Sequence, residues 1–239
     1  MFDLVFLGTA AAVPSAERGS PALLVARESA RFLVDCGEGT QRQLMRARLG
    51  LRGLGHVLLT HLHLDHVAGL ARRGTESLGY LFEEEARRAL LPERLDALGV
   101  PEGPERAALA RGDPVVLADG RPVTPEMVQG PNVAGAKLAI VGDAEEIISL
   151  IEPVRRADAL VIEATFLERD AGLARERGHL VAAAAAKLAC EAEAKELLLT
   201  HISGRYKAGE ILSEAARLFP RVRIAADFDR VSVSPRVSS

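Results

Sequence analysis

Apolar residues in this chain fall into short runs rather than long stripes. The N-terminal third carries β-type runs at 3–8, 22–26 and 31–35, separated by glycine turns, and a further run at 56–60. Beyond residue 135 the rhythm changes. Strand-like runs at 137–142, 159–163 and 196–200 alternate with helical stretches at 144–157, 180–194 and 208–218, and two strands at 222–226 and 229–233 close the chain. Consecutive strands followed by strand–helix alternation predict layered α/β packing. Between these halves, from 83 to 135, a charge-rich helical stretch from Glu83 to Leu98 gives way to Gly103-Pro104 and Gly130-Pro131, without the apolar period of a core. This segment is expected to be a flexible arm inserted into one domain spanning 1–239.

Composition sharpens that picture. A length of 239 residues suits one large domain, and 48% hydrophobic with 26% charged residues supports a sizeable core and excludes global disorder. No apolar run approaches the roughly 18 residues a membrane span needs, and Asp3 stands where a signal peptide would be basic, so a cytoplasmic location without a membrane partner is expected. Cys36 and Cys190 have no CxxC spacing, which excludes a disulfide framework and a cysteine zinc site; both are expected to be small buried hydrophobes.

A net charge of −3 argues against nucleic-acid binding by bulk charge. The distribution is uneven, however. Arg42, Arg46, Arg48 and Arg52 place four arginines in eleven residues with no acid among them, and Arg72 and Arg73 follow. A solvated helix face and a phosphate-binding one both fit that run. From Glu83 to Pro131 there are ten acids against six arginines, so the arm can contact phosphate only locally, through backbone amides and a few arginines.

The densest chemistry lies at Thr60-His61-Leu62-His63-Leu64-Asp65-His66, where the apolar strand Val57-Leu58-Leu59 ends. In a loop leaving a strand, alternate residues such as His61 and His63 can converge on one metal ion, while Asp65 and His66 point toward a second. Leu62 and Leu64 are free to pack inward. A lone histidine is usually a hydrogen-bonded core or surface residue, but three of the chain's six histidines sit here. The cluster is a candidate metal site.

The H-L-H-L-D-H stretch resembles the signature of the metallo-β-lactamase superfamily, which implies an αββα sandwich with a dinuclear site. The flanking sequence resembles ribonuclease Z, the tRNA 3′-end processing endonucleases: Phe6-Leu7-Gly8-Thr9 with Pro14-Ser15, Val34-Asp35-Cys36-Gly37-Glu38-Gly39-Thr40-Gln41, Val141-Gly142-Asp143, Glu163-Ala164-Thr165-Phe166-Leu167 and Thr200-His201-Ile202-Ser203 occur in that family's order. The resemblance implies that His61 and His63 bind a first metal, that Asp65, His66 and His201 bind a second, and that Asp143 bridges them. Asp143 and His201 each follow an apolar β run, although Asp143 could instead cap the helix expected at 144–157. Carboxylates and imidazoles without thiolate suit Zn2+, two per subunit, with Mn2+ or Fe2+ as alternatives. Such ions lower the pKa of water and stabilise the oxygens of an in-line phosphodiester attack.

The same resemblance implies a histidine–glutamate pair, His179 with Glu163, that protonates the leaving 3′ oxygen. This chain has Ile162-Glu163-Ala164-Thr165 where the family usually has His-Glu-Ala-Thr, and His179-Leu180-Val181 where it has His-Ser-Thr. Asp65, His179 and Glu163 are the candidate catalytic residues. Arg18 survives from a Pro-x-Lys-x-Arg-Asn pattern and could pair with phosphate. An arm that grips the tRNA elbow makes Gly103 and Pro104, in the tip Gly99-Val100-Pro101-Glu102-Gly103-Pro104, candidate substrate contacts. The implied activity is removal of the 3′ trailer of precursor tRNA by a homodimer.

One departure is large. The family implies about seventy residues between the motif and a further metal-binding histidine, which just precedes the strand at Tyr80, since a domain needs its full strand set. Here thirteen residues separate His66 from Tyr80, Gly69 to Arg73 matching the start of that stretch and Glu76 to Tyr80 its end. The first metal is therefore expected to be weakly held or absent. Two other functions stay open: a small-molecule phosphodiesterase on the same fold, and an inactive RNA-binding paralogue.

Overall fold

The two strand groups form two separate five-stranded sheets. The computed structural model describes residues 1–11, 13–61, 63–67 and 77–235 and, of Leu64, Val67 and Arg87, the backbone alone. The expected inward packing of Leu62 and Leu64, the pair Arg72 and Arg73, and the match at Gly69 to Arg73 lie outside the described residues. Sheet one takes β1 (Phe2–Gly8), β2 (Ala22–Arg27), β3 (Ala30–Val34) and β4 (Leu54–Leu58), with α1 (Thr40–Arg46) between the last two and α2 (Leu64–Val67) after them. Sheet two starts with β5 (Gly79–Glu83). A separate unit follows, with β6 (Arg87–Leu90), α3 (Pro92–Ala97), α4 (Pro104–Arg111), β7 (Val115–Val116), β8 (Pro122–Val123), α5 (Pro125–Val128) and β9 (Gln129–Val133). The chain returns through β10 (Lys137–Val141), α6 (Ile151–Val154), β11 (Ala159–Glu163), α7 (Ala171–Arg177), α8 (Ala182–Glu191), β12 (Leu197–Thr200), α9 (Ala208–Ala216), β13 (Val222–Ile224) and β14 (Arg230–Val233).

Sheet one has the order β14-β1-β2-β3-β4 and sheet two the order β13-β12-β11-β10-β5. In sheet two β10, β11, β12 and β13 run parallel, which the intervening helices permit, and β5 joins β10 antiparallel. Side-chain alternation explains the layers. Along β11, Ala159 and Val161 face the other sheet and pack with Phe6, Val25, Val34, Leu138 and Ile140. Leu160 and Ile162 face the opposite way, into a layer built on α8 and α9 with Leu188 and Ile211. On the far side of sheet one, Leu44 of α1 packs on Leu7, Leu24 and Leu33. The layers are thus αββα, as the sequence implied. Among the described residues no helix is long and apolar enough to cross a membrane.

Several expectations need correction. Residues 144–157 do not form one helix: only a single 3-10 turn at Ile148–Leu150 and the short α6 are helical. Glu146 instead accepts hydrogen bonds from the Ile148 and Ser149 backbone, and the Ala144 amide is taken by Glu163. Asp143 therefore caps no helix. Glu83 to Leu98 is not one helix either, because β6 pairs with β9 and Pro92 opens α3. Cys36 is half-buried and Cys190 is exposed rather than buried.

By its contacts the chain divides into Met1–Glu83 with Ala136–Ser239, and Glu84–Gly135. The second unit has a small core of its own, contrary to its sequence pattern: Leu95, Val100, Leu109, Leu117, Val123 and Val128 pack together. Its ends meet, since a Cβ on Gly135 would overlap the carbonyl oxygen of Glu84.

Candidate metal centre

Parallel strands deliver the ligands to one edge. Glu163 closes β11, His201 follows β12, and Asp143 lies two residues past β10, so the carboxyl ends of three adjacent strands converge. Sheet one contributes the loop after β4, with His61 and His63, and α2 with Asp65 and His66. It also contributes Asp35, just past β3, which runs parallel to β4. The two sheets are tied at this edge, where the Ile202 amide donates to the Thr9 carbonyl.

Six of the predicted ligands form two triangles. Asp65 Oδ2 lies 3.6 Å from His66 Nε2 and 3.5 Å from His201 Nε2, and those two nitrogens are 3.5 Å apart. Tetrahedral zinc with bonds near 2.1 Å spaces its donors about 3.4 Å apart. The second triangle is less regular: His61 Nε2 stands 3.0 Å from His63 Nδ1 and 3.3 Å from Asp143 Oδ2, with His63 Nδ1 4.0 Å from that oxygen. Asp143 Oδ2 is buried without a hydrogen-bond partner among the described residues. A buried carboxylate oxygen left this way is costly unless a cation meets it. The residues present therefore fit a divalent ion at each triangle, and fit it better at Asp65–His66–His201. The second opens onto a cavity of about 790 Å3 lined by His63, Ser77, Glu145, Glu176 and Gly178.

Three of the four ligand histidines, His61, His66 and His201, are aimed from behind by a carboxylate or a threonine. Asp35 accepts from His66 Nδ1 at 2.8 Å, from the Thr60 amide at 2.8 Å and from the Thr60 hydroxyl, which in turn lies 3.0 Å from His61 Nδ1. With Thr60 donating to Asp35, His61 Nδ1 must carry a proton, which leaves Nε2 bare toward the metal. The other side repeats the device. Thr165 donates to Glu163 at 2.6 Å and accepts from His201 Nδ1 at 2.9 Å. Sequence reasoning gave Asp35, Thr60 and Thr165 no role, although each lies inside one of the motif stretches. Asp35 and His201 both hold left-handed backbone, φ 59° and 53°, a strain of about 1–3 kcal/mol that recurs at functional sites.

The structure brings His179 and Glu163 together: His179 Nδ1 is 3.1 Å from Glu163 Oε2 and 3.7 Å from Asp143 Oδ2. Burial opposes the imidazolium, but the hydrogen bond and charge of Glu163, with Asp143, outweigh it and raise the His179 pKa. Burial likewise opposes charge on His201, yet Asp143 and Asp65 lift it to about 9. Asp65 is pulled to about 2 against burial by His201 and His66, and Asp143 falls well below the usual carboxylate range against burial through His201 and His61.

The remaining candidates lie elsewhere. Arg18 is half-buried and donates through Nη1 to the Thr9 hydroxyl at 2.6 Å and to the Ala225 carbonyl at 2.8 Å. Its Nη1 thus braces the first turn, and it does not line the cavity. Gly103 and Pro104 are exposed in the Glu84–Gly135 unit, where Gly103 holds φ 124°, ψ −138° before α4, a conformation open to glycine.

A protein-family model described as Anti-Pycsar protein Apyc1 matches residues 2–94. A ribonuclease Z of Bradyrhizobium diazoefficiens is 45% identical over 301 positions, covering 98% of this chain and all of the relative. Since 98% of this chain is about 234 residues, about 67 of those positions are filled in the relative alone. The metallo-β-lactamase fold protein YhfI from Bacillus subtilis superposes with a TM-score of 0.64 at 18% identity, covering 96% of this chain and 98% of that one. Human tRNase Z, short form, gives 0.61 at 24% identity, covering 97% and 99%. These two likenesses carry the fold.

Proposed function

The chain belongs to the ribonuclease Z family, and we propose from that premise and from the site that it removes the 3′ trailer of precursor tRNA, hydrolysing one phosphodiester to leave a 3′ hydroxyl on the tRNA. It is a metal-dependent hydrolase. The observation that carries the reading is the meeting of two ligand triangles with a histidine, His179, held by Glu163. Divalent cations at such triangles polarise phosphoryl oxygens and lower the pKa of water. Zinc suits the donor set, with two ions per subunit, the Asp65–His66–His201 triangle holding the tighter one.

The chain's own residues do the rest. Glu163 holds His179 by Nδ1, so the proton offered to the leaving 3′ oxygen is the one on Nε2. Asp65, ionised at neutral pH, accepts a hydrogen bond from the attacking water. Glu163 also fixes His201 through Thr165, so one buried carboxylate aligns both the proton donor and a ligand. Gly103, Pro104 and the arm's arginines contact the RNA. By the same family reading the protein is a cytoplasmic homodimer, which light scattering and cell fractionation check.

The test compares a precursor tRNA with bis(p-nitrophenyl) phosphate before and after chelation. Chelation should abolish both activities, zinc should restore both, and the tRNA should have the higher kcat/KM. Turnover of the small ester with no tRNA cleavage would favour a small-molecule phosphodiesterase, and metal-independent RNA binding without cleavage an inactive paralogue.

A further inference from the structure

The arginine run left open by the sequence occupies one continuous surface. α1 buries Thr40 and Leu44 and exposes Arg42 and Arg46, four residues apart on one helix face. The turn after α1 exposes Arg48 and Arg52 and is clamped from beneath by Arg31, which donates to the carbonyls of Leu49, Gly50 and Arg52. Arg230 of β14 joins the same surface by donating to the Ala47 carbonyl, and the Arg46 guanidinium lies over the Phe228 ring at 5.3 Å. Five exposed arginines are thus gathered, and none of them has a carboxylate at ion-pair distance among the described residues.

Some arginines elsewhere pair with carboxylates, as at Arg106–Asp96, Arg121–Asp119 and Arg169–Glu210. Two acids just before Arg230 are already engaged. Asp227 accepts from Thr9, Gly19 and Gln43, and Asp229 from the Ala226 amide. The surface also starts at the metal centre. The Cys36 amide donates to the His66 carbonyl at 3.0 Å, and a Cβ on Gly37 would come within 2.1 Å of the Asp65 carbonyl oxygen, so the loop leading into α1 is wedged against two ligand residues.

We propose that Arg42, Arg46, Arg48, Arg52 and Arg230 form a track for the phosphodiester backbone of the RNA whose scissile bond enters the metal centre. The inference rests on the functional reading above and adds a second contact surface, distinct from the Glu84–Gly135 unit. A row of unpaired guanidiniums matches a polyanion and binds it without reading sequence.

The experiment measures binding of a precursor tRNA against salt for the wild type and for the Arg42→Gln/Arg46→Gln/Arg48→Gln/Arg52→Gln variant. Each lost phosphate contact removes about 0.7–0.9 from the slope of log affinity against log salt, so four remove about 3. The wild type's advantage should then shrink about 60-fold between 50 and 200 mM salt. KM for precursor tRNA should rise with kcat nearly unchanged, and hydrolysis of bis(p-nitrophenyl) phosphate should stay at the wild-type rate. A four-lysine variant should recover most of the slope, which separates charge from folding. An unchanged slope in the glutamine variant, with cleavage intact, overturns the track and leaves the functional reading standing. Equal loss of small-ester hydrolysis, or binding of the arginine surface to anionic phosphatidylserine vesicles in preference to RNA, also overturns it.

Discussion

Replacing Asp35 by Asn tests whether a residue that touches no substrate sets the metal affinity. The carboxylate accepts three hydrogen bonds, from the Thr60 amide, the Thr60 hydroxyl and His66 Nδ1, all at 2.8 Å. An asparagine offers one carbonyl oxygen and an NH2 group, so at least one of those donors faces another donor. One buried unsatisfied donor costs about 1–3 kcal/mol of stability. The loss at the metal is separate. His66 loses its charged orienting partner, and the link through Thr60 to His61 Nδ1 loosens, which for such partners costs 10–100-fold in metal affinity, about 1.4–2.7 kcal/mol. Competition against a chromophoric chelator reads the affinity, and thermal melting of the chelated protein reads the stability. A zinc affinity unchanged in a variant that still folds would refute the orienting role. Loss of affinity together with the fold would refute it as a separate effect, and a milder Thr60→Ser comparison, which keeps the hydroxyl, should stay near wild type.

The remaining predictions concern the proton donor, the arm and the two triangles. His179→Ala should lower precursor tRNA cleavage by roughly 10²–10⁴, with metal content unchanged and nitrophenyl ester turnover far less affected, because a nitrophenolate leaves without a proton; a uniform small effect on both substrates would remove His179 from the chemistry. Replacing Glu84–Gly135 by a short turn joining β5 to β10, whose ends already pair at Glu83 and Lys137, should impair tRNA cleavage and spare the small ester, and equal loss of both would refute an RNA-gripping arm. His63→Ala should remove only the weaker of two zinc ions by native mass spectrometry, whereas His201→Ala should remove the tighter one; the reverse order would contradict the assignment of affinities.

What was legible in the sequence was local. His61, His63, Asp65 and His66 announce themselves because four ligand side chains fall within six positions, and the ends of β10, β11 and β12 are visible because a polar residue with chemistry to offer stands at or within two residues of each. Partners joined only by the fold left little trace. Asp35 and His66 are thirty-one residues apart and Thr165 and His201 thirty-six, so no spacing rule connects them. The helix expected at 144–157 failed because Glu146 and Glu163 satisfy backbone amides that a helix would otherwise have claimed. Propensity was overridden by side-chain hydrogen bonds. The core of the Glu84–Gly135 unit was invisible because its apolar residues, from Leu95 to Val128, are scattered at no helical or strand period and meet only once the chain has turned several times.

The most direct test of the central claim is the chemistry of the cut ends. A precursor tRNA carrying a 3′ trailer is incubated with the zinc-loaded protein in 18O-labelled water, and both fragments are analysed by mass spectrometry. Attack by water with His179 protonating the leaving 3′ oxygen puts the label on a 5′ phosphate of the trailer and leaves an unlabelled 3′ hydroxyl on the tRNA. A 2′,3′-cyclic phosphate on the tRNA, or label appearing at its 3′ end, would mean that a different nucleophile or a different bond is involved, and would contradict the mechanism assigned to this site.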